Sequence, residues 1–597
     1  MSQIFTTRPE IRGTFGVVAS THWIASAVAM SMLERGGNAF DAAVAGGLTL
    51  QIVEPHLNGP SGEVPILLLP TGAERPTVLC GQGVTPAGAT IAHYRSEGLT
   101  HIPGTGLLAA VIPGAFDAWM TLLRDHGRLE AADVMAPAIH YARHGHPLLA
   151  RVAQSIRDIS PMFREHWKSS ADIFMPGGDV PETGKLFANP TLADTYQRIV
   201  DEAKTGGSRE ARIDRARDAF YRGFVAEAIE RFATRTAVMD ASGAPHKGVI
   251  TAADMAGWRS SYETPLSYDY HGHTVFKTGP WGQGPVLLQQ LALLKGFDIA
   301  AMDPTGPDFV HVVTECMKLA FADREAYYGD PAFGDVPMET LLSDAYNDSR
   351  RALVGEEASK ELRPGTAGER TPTGEDLLRL SEMDLTAAGA GGGEPTMAHL
   401  GDRRGDTCHI DVIDRDGNMV SATPSGGWLQ SSPVVPGLGF PLNSRGQMFW
   451  LKEGLPASLA PGKRPRTTLT PSIAFRDGKP YMAFGTPGGD QQDQWQTIFL
   501  LRHIHHGHDL QRAIDGPLFH TEHMPSSFYP RQAKLGCLTV EENFGPATIE
   551  ALKARGHEVT VAEPWSVGRM CAAAREEDGV LKAAATPRLM QAYAMGR

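Results

Sequence analysis

Residues 401–423 read GDRRGDTCHIDVIDRDGNMVSAT, and the threonine at 407 is the first candidate for chemistry. A threonine hydroxyl inside a chain is a poor nucleophile and needs a nearby base. Cutting the bond between Asp406 and Thr407 would give Thr407 a free α-amine. That amine titrates near about pH 8, so it accepts the hydroxyl proton at neutral pH and one residue supplies nucleophile and base. A route through an acyl-enzyme also needs donors aimed at the developing oxyanion. The stretch FGTPGGD (484–490) offers the N–H groups of Gly488 and Gly489, which can converge because glycine permits unusual φ. Taken alone, these residues are read more simply as a strand-opening threonine and a strand-end turn.

Other residues compete for a chemical role. Cys408 is a rival nucleophile, since thiolates are intrinsically better. The strand alternation turns it away from Thr407, toward Ile410 and Val412, where it serves as a small buried hydrophobe. His409 and Asp411 are spaced like a relay, or they simply orient the strand. RHIHHGHD (502–509) is the densest histidine cluster, with His503 and His506 spaced to share a helix face. Their place in the last turn before Gly507 fits a helix C-terminus better than a metal site, and no metal or cofactor is expected.

The elements that must position Thr407 follow from pattern. Residues 355–406 are rich in Gly, Ala, Pro, Thr and charge, and read as a flexible segment with one short helix around 377–385. From Thr407 the period becomes two, Asp414 to Asn418 is turn chemistry with Gly417 and Asn418 able to take positive φ, and Met419 to Thr423 returns. Residues 472–489 repeat the scheme of strand, Asp-Gly turn and strand. Residues 23–53 read as two helices broken at Gly36-Gly37, with Asn38 capping the second. Residues 286–298 and 307–331 read as further helices, with Phe309, Val312, Val313, Cys316 and Ala320 on one face.

Composition sets outer limits. With 597 residues, 42% apolar and 21% charged, the chain can bury a large core. A net charge of −13 argues against nucleic acid and against anionic membrane surfaces. Five scattered cysteines without a C-x-x-C pair fit reduced thiols. The start lacks a basic n-region followed by an apolar run, so a cytoplasmic protein is expected.

A resemblance adds to these readings. GVVAS, LERGGNAFDAAVA and IVEPH are followed by IPGAFDAWMTLLRDHGRL, APAIHYARHGHPL and HVVTECMKLAFADREAYYGDP. DTCHIDVIDRDGN, PGKRPRTTLTPSI and GTPGG complete a match that runs almost end to end. Together they resemble the γ-glutamyltranspeptidase family of N-terminal-nucleophile hydrolases. The resemblance implies an α/β (α+β) fold, a four-layer αββα sandwich. It implies cleavage before Thr407 into a large subunit, 1–406, and a small subunit, 407–597, that stay paired. It makes Thr407 the nucleophile and places Gly488 and Gly489 at the oxyanion hole. The family's second threonine is Ser425 here, and its paired serines after K-R-P are Thr467 and Thr468.

The departures concern the glutamyl grip. Gln82 stands where family members use an arginine for the α-carboxylate, and a neutral amide cannot replace a charged fork. Met448 stands where an acidic residue holds the α-amino group, Arg445 where a glutamine stood, and Gly427 where an asparagine stood. The pattern is closer to the branch that includes cephalosporin-acylase-like and oxamate-amidohydrolase-like proteins. The expectation is a self-processing amidohydrolase or acyltransferase of a small amide, with a donor other than glutathione. Arg445 is either an anchor for a substrate carboxylate or half of a structural ion pair. A true γ-glutamyl hydrolase, an uncleaved binding homologue and assembly into homo-oligomers stay open.

Overall fold

The computed structural model describes residues 5–381 and 407–597. Two antiparallel sheets of seven strands each form its centre. The first runs Tyr593–Gly596, Gly16–Ser20, Ile410–Asp414, Met419–Ala422, Val64–Leu69, Thr77–Gly81 and Ser261–Glu263. The second runs Ile11–Gly13, Leu581–Ala585, Cys571–Arg575, Lys479–Gly485, Ser472–Arg476, His273–Lys277 and Leu266–Tyr270. Both sheets contain strands from before and from after residue 407, paired directly to one another, so the two parts of the chain share one framework rather than forming neighbouring domains.

Three apolar layers hold the fold together. Between the sheets lie Val17, Leu67, Ile413, Met419 and Ile473 with a run of alanines, Ala483, Ala573 and Ala583. The small side chains allow close approach of the sheets. Outside the first sheet, Val18, Ile66, Ile410 and Val412 pack against the helices Trp23–Glu34, Ala39–Val53 and Ala115–His126. Outside the second, Val275, Met482 and Phe484 pack against Pro285–Leu294, Pro307–Tyr327 and Gln492–His506. This is the four-layer αββα arrangement.

Local chemistry explains the element ends. Asn38 and Asp41 form a reciprocal capping box at the start of Ala39–Val53. In the 472–485 hairpin, Asp477 and Gly478 both take positive φ (51° and 75°), the paired left-handed geometry that a two-residue hairpin turn requires. In the 410–422 hairpin Gly417 alone takes positive φ (90°). Asn418 acts instead through its side chain, donating to Asp414 Oδ2 at 2.8 Å. The ladder begins at Ile410 rather than at Thr407.

The segment from Gly355 is better ordered than its composition suggests. Residues 355–381 lie against the Pro307–Tyr327 helix and include the helix Gly374–Leu380, with Leu362, Ala367 and Leu377 buried. The helix supplies acceptors for this loop: Gly365 N–H donates to Asp323 at 2.7 Å and Ser359 N–H to Glu315 at 3.3 Å. Tyr327 Oη accepts from Ala367 N–H at 2.9 Å. A polar strap with few apolar residues is thus held by buried hydrogen bonds, which composition does not reveal. The rest of the segment, including the end of the helix expected around 377–385, lies outside the described residues.

One close approach between the sheets is unusually tight. A Cβ added at Gly485 would lie 2.2 Å from the His409 ring, which reaches across from the other sheet. Gly485→Ala should therefore cost about 1–3 kcal/mol of stability in denaturant unfolding, through overpacking. A change below about 0.5 kcal/mol, the scale of a neutral surface substitution, would show that the ring has room to move.

Candidate active site

Thr407 sits just before the ladder of its strand, 1% exposed. Its Oγ1 donates to Ser425 Oγ at 3.2 Å, and its carbonyl accepts from Arg569 Nη2 at 2.8 Å. The next residue is fixed too, since Cys408 N–H donates to the Pro424 carbonyl at 2.9 Å. Arg569 is tied in turn to the glycine loop: its N–H donates to Thr486 Oγ1 at 3.2 Å. Gly488 and Gly489 follow with φ of 131° and 53°, conformations that side chains rarely adopt. A Cβ at Gly488 would come within 2.2 Å of Trp495. Thr407, Ser425 and the glycine loop are thus joined by one short chain of hydrogen bonds through Arg569. The other side of the expected cleavage bond, Asp406, lies outside the described residues.

The alternation of the strand sorts the neighbouring groups. Cys408, Ile410 and Val412 lie in the core beneath the helices, and Ile413 lies between the sheets. Cys408 donates to Glu54 Oε2 and accepts from Asn58 Nδ2, both at 3.1 Å. Burial and the Glu54 carboxylate push its thiol far up, which suits a donor and not a nucleophile. Glu54 also accepts from Thr21 Oγ1 at 2.7 Å and from the Gln591 amide, and lies 3.7 Å from Arg569. Burial raises its carboxyl against the pull of Arg569. His409 is held between Thr423 Oγ1 and Asp411 Oδ1, each at 2.9 Å. Burial raises the Asp411 carboxyl. His409 and Asp411 make their bonds to each other and to Thr423, so they brace the strand between the sheets.

Behind Ser425 stands a buried ion pair. Arg445 Nη2 donates to Ser425 Oγ at 3.0 Å and pairs with Glu63 Oε1. Both side chains are 1% exposed. Backbone bonds between Ser425 and Glu63 (2.9 and 3.0 Å) fix the two residues side by side. The guanidinium lies 5.2 Å from the Trp428 ring and 5.7 Å from Phe528, with Met448 in the same apolar cluster. Burial pushes the Glu63 carboxyl up, against Arg445. Gly427 takes positive φ (66°) two residues after Ser425, where a Cβ would meet Ser61 Oγ at 2.6 Å.

The other expected residues are buried but turn to local partners. Gln82 donates to the Gly83 carbonyl at 3.1 Å. Thr467 N–H donates to the Trp281 carbonyl at 2.9 Å, and its Oγ1 accepts from Leu469 N–H at 3.4 Å. Thr468 is 1% exposed. In the histidine cluster, His503 bonds the Tyr481 hydroxyl and the His508 carbonyl, both at 2.7 Å, and His505 bonds the Tyr270 hydroxyl at 2.8 Å. Gly507 closes that helix in the left-handed conformation. Among the described residues one group, His311, Glu315 and His557, brings ligand-type atoms within 4.8 Å of one another. Lys318 (2.6 Å) and Arg363 (3.1 Å) already hold Glu315, and His311 bonds His557 directly at 2.9 Å.

Sequence reasoning missed Glu54, Glu63 and Arg569. The available signal was a charged residue inside an otherwise apolar stretch, as in QIVEPHL and SVGRMCAAA.

The gamma-glutamyltranspeptidase family model matches residues 25–596. The glutathione hydrolase-like YwrD proenzyme of Bacillus subtilis (strain 168) is 31% identical over 581 residues, covering 96% of this chain and 97% of that one. The solved structure of LmbA2991HD is 55% identical with a TM-score of 0.92, each chain covered at 100%. The cephalosporin acylase from Bacillus halodurans is 28% identical with a TM-score of 0.82, covering 100% of this chain and 98% of that one.

The Arg445–Glu63 pair can be tested directly. Arg445→Met leaves a buried carboxylate without its cation and should cost about 3–5 kcal/mol in denaturant unfolding at pH 7. Glu63 in that variant folds best protonated, so its folded value stands above its unfolded one. The loss is then largest at neutral pH and shrinks as pH falls toward about 4.3, the ordinary glutamate value. A loss independent of pH would mean that packing, not charge, is what Arg445 supplies.

Proposed function

Because the chain belongs to the gamma-glutamyltranspeptidase family, we propose that it is a self-processing amidohydrolase with Thr407 as its N-terminal nucleophile. The observation that carries this reading is the Thr407 hydroxyl, held at 3.2 Å from Ser425 Oγ while Arg569 fixes the carbonyl of the same residue. In processing, Thr407 Oγ1 attacks the Asp406 carbonyl and the Thr407 nitrogen departs, which leaves an ester. Water then releases the Asp406 carboxylate and a free α-amine on Thr407. Relatives with the word proenzyme in their names support this step.

In turnover the α-amine takes the Thr407 hydroxyl proton as the oxygen attacks a substrate amide. The oxyanion receives hydrogen bonds from the Gly488 and Gly489 N–H groups. Collapse of the intermediate breaks the C–N bond, and the leaving amine takes its proton from the α-ammonium. Water, or an acceptor amine, then attacks the ester and frees Thr407. Ser425 orients the nucleophile, and Arg445, its charge matched by Glu63, orients Ser425. Thr467 and Thr468 are the counterparts of the family's paired serines.

The donor we infer is a small amide other than glutathione. Gln82 offers no charge for an α-carboxylate and Met448 none for an α-ammonium, and Gly427 offers no side chain at all. The five cysteines are buried and form no disulfide, which supports a reduced, cytoplasmic setting. No helix among the described residues is long and apolar enough to cross a membrane.

Intact-mass spectra of the wild type and of Thr407→Ala test processing. The wild type should yield fragments 1–406 and 407–597, and the variant a single uncut chain. The two fragments should co-elute in gel filtration and part only in denaturant, because strands of both pair with one another in each sheet. One uncut species in both proteins would make Thr407 an ordinary strand residue and turn attention to ligand binding. A γ-glutamyl 4-nitroanilide should be a poor substrate, at least about tenfold below an unbranched acyl anilide in kcat/KM, a barrier difference of about 1.4 kcal/mol. Brisk turnover of the γ-glutamyl compound would overturn the inference about the donor.

A further inference from the structure

The two glycines read as oxyanion donors lie on a loop that needs help to point in one direction. Gly488 and Gly489 take φ of 131° and 53°, and without side chains their peptide units turn over at little cost. The carbonyl and the N–H of one peptide unit point in opposite directions, so whatever holds the carbonyls aims the donors. Two of the loop's carbonyls are held from within. Pro487 accepts from Thr486 Oγ1 at 2.8 Å, and Gly488 accepts from Gln491 N–H at 3.0 Å. These bonds set the shape of the loop, not its place beside Thr407.

The next carbonyl is held from far away. Gly489 accepts from Gln283 Nε2 at 3.2 Å, across 206 positions of sequence. Gln283 is fully buried. It stands in TGPWGQGP, between the strand His273–Lys277 and the helix Pro285–Leu294. The glycines on either side let that turn pack closely, since a Cβ at Gly282 would lie 2.7 Å from Thr278 Oγ1. An amide side chain can turn over with little change of shape, so which end meets Gly489 must itself be decided. Arg324 decides it. Its Nη1, which can only donate, gives to Gln283 Oε1 at 2.7 Å, and Nε2 is left facing the glycine carbonyl.

Arg324 also grips the residue after the glycines. The same Nη1 donates to Asp490 Oδ1, and Ser527 closes that carboxylate from the other side through N–H at 2.9 Å and Oγ at 2.6 Å. Nη2 donates to Glu325 at 2.6 Å. The charge of Arg324 is therefore met inside the protein, by Glu325 and Asp490, and the side chain serves as a fixed strut. Gln283 and Arg324 both precede the expected cut, and the glycine loop follows it.

We propose that Gln283, oriented by Arg324, is a positioning residue that aims the Gly488 and Gly489 N–H groups at the oxyanion. This rests on the reading of Thr407 and the glycine loop as the catalytic centre. Gln283 touches no reacting atom. It keeps the Gly489 carbonyl turned away, where a rotated unit would set an oxygen against the developing charge.

Two substitutions in the full chain separate aim from packing. Gln283→Glu keeps the shape and the bond to Arg324 but sets an acceptor against the Gly489 carbonyl. Gln283→Met keeps the volume and removes both bonds. Turnover of an unbranched acyl 4-nitroanilide is read per processed chain, counted by intact mass. Losing an oxyanion donor outright costs about 10²–10³ in kcat, so misaiming the pair should cost about 30-fold in Gln283→Glu and about fivefold in Gln283→Met. KM should stay within about twofold in both, because the oxyanion exists only in the transition state. Urea midpoints should not follow that order, since the glutamate gains an ion pair with Arg324. An alkylboronic acid gives a second reading. The Thr407 oxygen adds to boron, the α-amine takes its proton, and a boronate oxygen occupies the oxyanion position. Its inhibition constant should rise in step with the fall in kcat, while that of the matching alkyl carboxylate stays within about twofold. Wild-type kcat in both variants, a methionine variant less active than the glutamate one, or equal weakening of boronate and carboxylate would each overturn the proposal. Where Gln283→Glu fails to fold or to process, kcat and the boronate constant of Gln283→Met decide alone. A processed wild type that turns over no anilide would fail the amidohydrolase reading and take this inference with it, whereas an active wild type matched by both variants fails the inference alone.

Discussion

The register of the Ile410–Asp414 strand is the constraint on which the site depends. It pairs on one side with Gly16–Ser20 and on the other with Met419–Ala422. A strand turns alternate residues to opposite faces, so this register sends His409, Asp411 and Ile413 toward the second sheet. Cys408, Ile410 and Val412 go to the helices. A slip of one residue would exchange the two sets and put apolar side chains where the polar brace now stands. Thr407 lies just outside the ladder, where the backbone is no longer fixed by strand pairing. Its position is secured instead by side chains that come from elsewhere, Arg569 on its carbonyl and Ser425 on its hydroxyl.

That arrangement buries several polar groups among apolar residues, between the sheets and on the helix side of the first sheet. Each is costly to bury unless paired. The fold meets the cost with closed pairs: His409 between Thr423 and Asp411, Cys408 between Glu54 and Asn58, and Arg445 against Glu63. The absent side chain of Gly485 lets the His409 ring reach across the inter-sheet space. These contacts surround a Thr407 hydroxyl that stands within hydrogen-bond reach of Ser425.

Much of this framework was legible in local sequence, because local chemistry fixes it. Asn38 announces a cap, Asp477-Gly478 a hairpin turn, and the change to period two after Asp406 a strand. The proposal of Thr407 as nucleophile beside the glycine loop rests on motif and chemistry together. The long-range partners were not legible. Arg569 meets Thr407 across 162 positions, and nothing in SVGRMC specifies that carbonyl. Glu63 and Arg445 come together only when the fold places the Val64–Leu69 strand beside Met419–Ala422. Residues 355–381 misled in the opposite sense: a composition typical of disorder is ordered by acceptors on the Pro307–Tyr327 helix, which belong to another part of the chain.

The distribution of buried charge makes the specificity argument sharper than the sequence departures alone. In the reading proposed for the donor, Gln82 and Met448 lack the charges that would hold a glutamate's α-carboxylate and α-ammonium, and Arg445 is the positive charge behind Ser425. A guanidinium already matched by Glu63 offers little net attraction to a second carboxylate, because the field it presents is that of a closed pair.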